Sequence, residues 1–250
     1  MQLKWVGWVL LGVWIAYAPV TGAEDKLADL IQRAEHGDAV AQTDLGTDYA
    51  LGSEVAKDYY LAQKWFRTAA ERGNPLAQYN LGLMYAHGEG LPTDLKEARK
   101  WFLKAADQGD LPAQFNLGLM YANGDGVPRH YTEAFKWFRK AAEQGHAIAQ
   151  VDLGLMYLRG ESVAKNLDEA VKWFRLSAEQ GNAIAQYHLG LCYFEGEGVS
   201  KDDQEAYVWF ALSAAQGDEQ ASGFLNKLET ELTPKQIADA QKRAAERHPV

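Results

Sequence analysis

Cysteine is nearly absent. Cys192 stands alone in 250 residues, so no intramolecular disulfide framework can form, and cysteine-rich metal sites fall away with it. The 7 prolines and 23 glycines follow no Gly-X-Y period, which excludes collagen-like and low-complexity classes. Positive charge is in deficit: 25 Lys and Arg stand against 34 Asp and Glu, for a formal net charge of −9, and no basic block occurs. A nucleic-acid binder needs a basic stripe to displace phosphate counterions, so the composition argues against nucleic acid as a partner. Of the six histidines, none pairs with another at i+3 or i+4, and neither a metal nor a cofactor is expected.

Long apolar runs are confined to the start. Residues 1–23 carry one charge, Lys4, and the run from Trp5 to Val20 is almost continuously apolar. Thr21-Gly22-Ala23 then supplies small residues ahead of Glu24-Asp25. A short positive start, an apolar middle and a small-residue exit are the features of a secretory signal peptide, here with cleavage expected after Ala23. Ala16-Tyr17-Ala18 has a similar form, but Pro19 follows it and disfavours cleavage there. A retained anchor is the alternative, since residues 5–23 are uncharged and approach the roughly 20 residues that span a bilayer. Without a cysteine at the exit, a lipoprotein anchor does not fit. Loss of the segment removes Lys4 and takes the charge from −9 to −10.

What is abundant is periodicity. Trp65, Trp101, Trp137, Trp173 and Trp209 are each 36 residues apart, and a Phe follows every one, from Phe66 to Phe210. The same period carries Leu45 to Leu189, Gly46 to Gly190, Tyr49 to Tyr193, and the closing Gly73 to Gly217, with no insertion or deletion. A fixed period of this size signals an array whose units bury their apolar faces only against neighbours.

Each unit reads as two helices. Ala77, Leu81, Met84 and Tyr85 mark one buried face of the first, and Ala98, Trp101, Phe102, Ala105 and Ala106 that of the second. Asp38, Asn74, Asp110, Asn182 and Asp218 occupy an N-cap column, and Pro75 sits at a first helical position, where its missing donor costs nothing. Asp58, Asp94, Asn166 and Asp202 cap the second helices, and Glu97, Glu169 and Glu205 complete a capping-box pattern after the last three; His130 predicts a weaker cap in the third unit. Gly82 and its equivalents are expected to let helix backbones approach closely, while the Trp-Phe pairs fill the space between units. Between the helices lie Gly88 and Gly90, Gly124 and Gly126, Gly196 and Gly198, with Ser162 and Glu54 replacing the second glycine in units four and one.

The organisation expected is therefore a signal peptide over 1–23, an N-terminal capping helix over 24–37, and five repeats over 38–217 (38–73, 74–109, 110–145, 146–181 and 182–217). A half repeat and a C-terminal capping helix follow over 218–250, with Thr233 as N-cap of the last helix.

The string Ala-x-Ala-Gln-x-x-Leu-Gly-x-x-Tyr, then Gly-x-Gly-Val, then Ala-x-x-Trp-Phe-x-x-Ala-Ala-x-x-Gly, resembles the Sel-like repeat of the tetratricopeptide superfamily over about residues 38–225. The resemblance implies an all-α fold, a right-handed α–α superhelix whose first helices line a concave groove. It also implies adaptor roles in signalling, envelope assembly, secretion and host contact, many of the relatives being exported bacterial proteins; with the leader, this places the chain in the periplasm or outside the cell. Some cysteine-rich relatives are tied to β-lactam binding or hydrolysis, but they carry disulfides that this chain lacks.

No catalytic cluster emerges from the motifs. Ser162-Val163-Ala164-Lys165 matches the serine-x-x-lysine string of penicillin-recognising enzymes, yet it falls in a loop column otherwise filled by glycine, and no Lys-Thr-Gly or Ser-Asp-Asn accompanies it. Cys192 shares a column with Met84, Met120 and Met156 and reads as a small buried hydrophobe.

Recognition is expected where first-helix columns vary. One column is Thr43, Tyr79, Phe115, Val151 and Tyr187; the next is Asp44, Asn80, Asn116, Asp152 and His188; a third is Leu51, His87, Asn123, Arg159 and Glu195. Side-chain amides there offer donor and acceptor to an extended peptide, although Asn80 and Asn116 have a packing role as the alternative. The function expected is a non-catalytic adaptor binding a protein or peptide segment in the groove. The other readings are a β-lactam-directed enzyme or a purely architectural envelope component.

Overall fold

The computed structural model describes residues 23–247, and every regular element in that span is an α-helix. The signal-peptide segment lies almost wholly outside the described residues. A first helix, α1 (Ala23–Glu35), precedes five pairs: α2 (Ala39–Leu51) and α3 (Tyr59–Glu71), α4 (Pro75–His87) and α5 (Leu95–Asp107), α6 (Leu111–Asn123) and α7 (Tyr131–Glu143), α8 (Ala147–Arg159) and α9 (Leu167–Glu179), α10 (Ala183–Glu195) and α11 (Asp203–Ala214). Helices α12 (Glu219–Glu231) and α13 (Pro234–Arg247) close the array. From α1 to α11 each helix packs on its successor, within units and across their boundaries, and α13 folds back on α11. The result is a right-handed α–α solenoid.

The caps explain why the helices start and stop where they do. Asp38, Asn74, Asp110, Asn182 and Asp218 all accept first-turn backbone N–H groups, and Pro75 occupies the first turn of α4. In the fourth unit His146 fills this column, accepting from Ala149 N through Nδ1 at 3.1 Å. His130 caps α7 at a longer 3.3 Å, against 3.0 Å for Asp94 to Glu97 N.

The capping boxes expected on the second helices are only half made. The backbone N–H of each cap residue donates instead to a tyrosine carbonyl of the preceding helix, as from Asp94 to Tyr85 O at 2.9 Å and from Asn166 to Tyr157 O at 3.0 Å. With that donor already taken, Glu97 and Glu169 turn outward to Lys100 and Lys172. A reciprocal box does form at the last helix, where Thr233 N donates to Gln236 Oε1 at 2.9 Å and Gln236 N to Thr233 Oγ1 at 3.4 Å.

The hydrophobic cores straddle unit boundaries. One cluster joins Ala62, Phe66, Ala69 and Ala70 of α3 to Ala77, Leu81 and Met84 of α4, closed by Trp101 of α5. The next two repeat this pattern around Trp137 and Trp173. Trp101, Trp137, Trp173 and Trp209 are at most 8% exposed, but Trp65 is only half-buried, because α1 covers it less completely. The glycine column makes room for a ring as well as for a backbone: a Cβ on Gly82 would lie 2.6 Å from the Phe102 ring of its own unit and 3.3 Å from the Ala98 carbonyl oxygen of the neighbouring helix.

Beneath the surface runs a ladder of buried glutamines. Gln78, Gln114 and Gln150 each donate to an alanine carbonyl eight residues back, at 3.0, 3.2 and 3.1 Å. Gln108, Gln144 and Gln180 then donate to their side-chain carbonyls at 2.7–2.8 Å. Buried amides satisfied in this way fix the register between units.

Candidate functional site

Four first-helix columns share one face by the i, i+4, i+7, i+11 rule. Residues 44, 47 and 51 and their equivalents contribute three of them. The fourth was not anticipated: Val40, Leu76, Pro112, Ile148 and Ile184 recur with the same period. Val40, Leu76, Ile148 and Ile184 are 48–56% exposed, and Pro112 is exposed as well. The signal was present as five apolar residues in register, but an apolar column reads as core until its exposure is known. The face thus presents an apolar edge, a polar middle, a half-buried row of Leu83, Leu119, Leu155 and Leu191, and a varied far edge.

The polar middle is sparsely bonded. Asn116 Nδ2 donates to Tyr79 Oη at 3.4 Å, tying adjacent units together. Asn80 and Asp152 make no side-chain hydrogen bond among the described residues, and both are half-buried. Burial pushes the Asp152 carboxyl up to about 6. His188 stacks on Phe174 with ring centroids 5.1 Å apart, and burial, with Arg159 adding, depresses its imidazole below the usual value.

The aromatic column lies deeper. Tyr79 packs at 5.7 Å on Phe102, Phe115 at 5.8 Å on Phe138 and 4.4 Å on His146, and Tyr187 at 6.0 Å on Phe210. Thr43 and Val151 of this column are buried. At the far edge His87, Asn123 and Arg159 are exposed; Asn123 Nδ2 donates to Asp125 Oδ2 at 3.2 Å, and Arg159 Nη1 lies 3.8 Å from Glu161 Oε1. Asn123, Asp152 and Arg159 meet in one cleft of about 180 Å³ between α6 and α8, with Leu119, Leu155 and Tyr131 also in its walls.

Groups that could do chemistry are placed differently. Ser162 is an exposed loop residue at φ 63°, in the left-handed conformation its column demands, and lies ahead of α9 rather than on it. Cys192 is buried, which pushes its thiol up to about 12 and leaves it protonated at neutral pH. His188 sits four residues before it on α10, but no group of three potential metal ligands forms among the described residues. No described helix is long and apolar enough to cross a membrane.

This geometry defines a helical-repeat solenoid with an open, side-chain-lined face. The Sel1 repeat model matches residues 39–74, 75–110, 111–146, 147–182 and 183–218, and the chain belongs to that family, whose repeats generally serve as non-catalytic scaffolds for protein partners. Among solved structures, it is similar to c5321, a protective antigen of uropathogenic Escherichia coli displaying an SLR fold, at 37% identity and a TM-score of 0.82. That match covers 90% of this chain and 49% of the other, so the chain spans about half the length of this relative. A Sel1 repeat protein from Oxalobacter formigenes matches at 33% identity and a TM-score of 0.74, covering 90% and 95% of the two chains. Among curated proteins, none matches.

Proposed function

We propose that the protein is an exported, non-catalytic scaffold of the cell envelope that holds a peptide or protein segment along the first-helix face. The observation that carries this reading is the contrast between columns. Those that pack between units are filled alike, whereas on the first-helix face the column of residue 51 changes in every unit and the column of residue 44 varies among polar residues, of which Asn80 and Asp152 make no side-chain hydrogen bond among the described residues. Unpaired amides and carboxyls beside an exposed apolar edge suit a chain that brings its own backbone donors and acceptors. Export is supported by the leader-like start and by the match to an antigen of a pathogenic strain.

A photo-crosslinking residue at position 80 or 87 is expected to capture one partner in intact cells, and the same residue at Lys104 or Lys140 on the second helices is expected to capture none. Replacing Asn80, Asn116 and Tyr187 together by alanine should abolish that capture with helicity retained. Equal capture from both faces, or capture that survives the triple replacement, rejects the assigned face.

A further inference from the structure

We propose that the cleft between α6 and α8 receives a lysine or arginine side chain of the bound segment, with Asp152 as its ion-pair partner. The inference rests on the first-helix face being the binding face and adds the chemistry of what binds there. Asp152 projects from the second turn of α8 into a cleft of about 180 Å³ and has no hydrogen-bond or ion-pair partner among the described residues. The groups beside it in the same column are Asn116, already turned to Tyr79, and His188, stacked on Phe174. Neither brings a positive charge, since burial favours the neutral imidazole. Arg159, two turns further along α8, is the cation lining the cleft, and Glu161 already lies 3.8 Å from it. The cleft therefore holds two carboxylates against one guanidinium.

A carboxylate drawn partly out of water without a partner costs free energy that an incoming cation recovers. The walls select the kind of cation. Leu119, Leu155 and Met156 offer apolar surface along which a long aliphatic stem can lie while its charged head reaches Asp152. A metal ion would need further ligands, and no group of three such residues forms among the described residues. An anionic side chain would meet Asp152 and Glu161 together. The chain as a whole, at −9, also attracts basic segments.

The test is selection of a random peptide library on the full chain, followed by binding of a synthetic consensus peptide measured by fluorescence anisotropy. The expected consensus carries lysine or arginine at one position. Asp152→Asn should weaken that peptide about tenfold or more, replacing the peptide's basic residue by glutamine should do the same, and the two changes together should cost little beyond either alone. Circular dichroism of Asp152→Asn checks that the fold is kept, and Asp152→Ser provides a second, smaller replacement should the first misfold. Selected peptides without a basic position, or two losses that simply add, overturn the inference while leaving the binding face intact. Failure to select any peptide overturns the binding face and this inference together.

Discussion

The two ends of the solenoid are built to different standards. At the start, α1 covers the first unit with a small cluster of Ala34, Ala41 and Leu45, and Trp65 stays half-buried beside it. At the other end, α12 and α13 seal Tyr207, Trp209 and Phe210, all at most 4% exposed, within the largest core of the molecule. Arg243 and Arg247 reach back from α13 to the buried Glu205, the latter at 2.6 Å, and Arg247 also lies 4.5 Å over the Trp209 ring. Because each core is shared between neighbours, a unit is only as stable as what covers it. Among the described residues, the C-terminal end has a dedicated lid, and the N-terminal end leans on one helix.

The tryptophans give the sharpest test of this difference. Trp209→Ala should cost about 3–5 kcal/mol, the usual price of emptying a well-packed aromatic site, while Trp65→Ala should cost roughly 1–2 kcal/mol because solvent already reaches that ring. Hydrogen exchange resolved by segment is the suitable measurement, since an array of this kind need not unfold in one step. Equal losses of protection at the two ends would break the comparison.

Glu205 isolates the lid. Its side chain is 8% exposed and is contacted by two arginines of α13 that are each about 40% exposed. Glu205→Ala should cost about 2–3 kcal/mol, with exchange quickening first in α13, because the removed carboxylate holds the last helix against α11. The corresponding outward-facing acid of the third repeat, Glu133, contacts only Lys136 at 2.6 Å, and Glu133→Ala should change stability by no more than about 0.5 kcal/mol.

The glycine column tests how far each end can give way. A Cβ at Gly190 or at Gly46 would stand 2.7 Å from the phenylalanine of its own unit, Phe210 or Phe66. Overpacking of this kind typically costs about 1–3 kcal/mol. Gly190→Ala should fall at the upper end, because Phe210 is held by Phe194 and by Phe224 stacked at 4.8 Å, and Gly46→Ala at the lower end. Comparable thermal shifts for the two would show that the N-terminal unit is as rigid as the last.

Much of this architecture was legible in the residues, and the failures have a common cause. The period located the helices, the first-helix caps and the inter-unit Trp-Phe packing, because each repeats wherever its local cause repeats. It could not reveal that Glu205 has another partner from the other capping-box acids, since α13 lies outside the repeat and its docking is a long-range event. Nor could it separate an apolar column that packs, such as Leu81, from one that stays in solvent, such as Leu76. The glutamines of the Ala-x-Ala-Gln string were visible as a motif, but their partners 30 residues further along the same unit, and the alanine carbonyls across the unit boundary, were not.

That ladder supplies an effect of the opposite sign, a gain in stability rather than a loss. In units two to five the residue closing the second helix is Gln108, Gln144, Gln180 or Gln216, and each donates to the glutamine of its own unit at 2.7–2.8 Å. Unit one carries Arg72 instead, which donates to Gly37 O at 2.6 Å, and the buried Gln42 Oε1 is left without a partner. Gln216 makes both kinds of bond at once, donating to Gln186 Oε1 at 2.8 Å and to Gly181 O at 3.0 Å, so a glutamine at 72 can keep the carbonyl contact and satisfy the orphan as well. Arg72→Gln should therefore stabilise the N-terminal unit by about 1 kcal/mol, the net worth of one buried hydrogen bond, seen as slower exchange in α2 and α3 with the C-terminal helices unchanged. No gain in that unit would mean that the weakness of this end lies in how little α1 covers rather than in the missing rung.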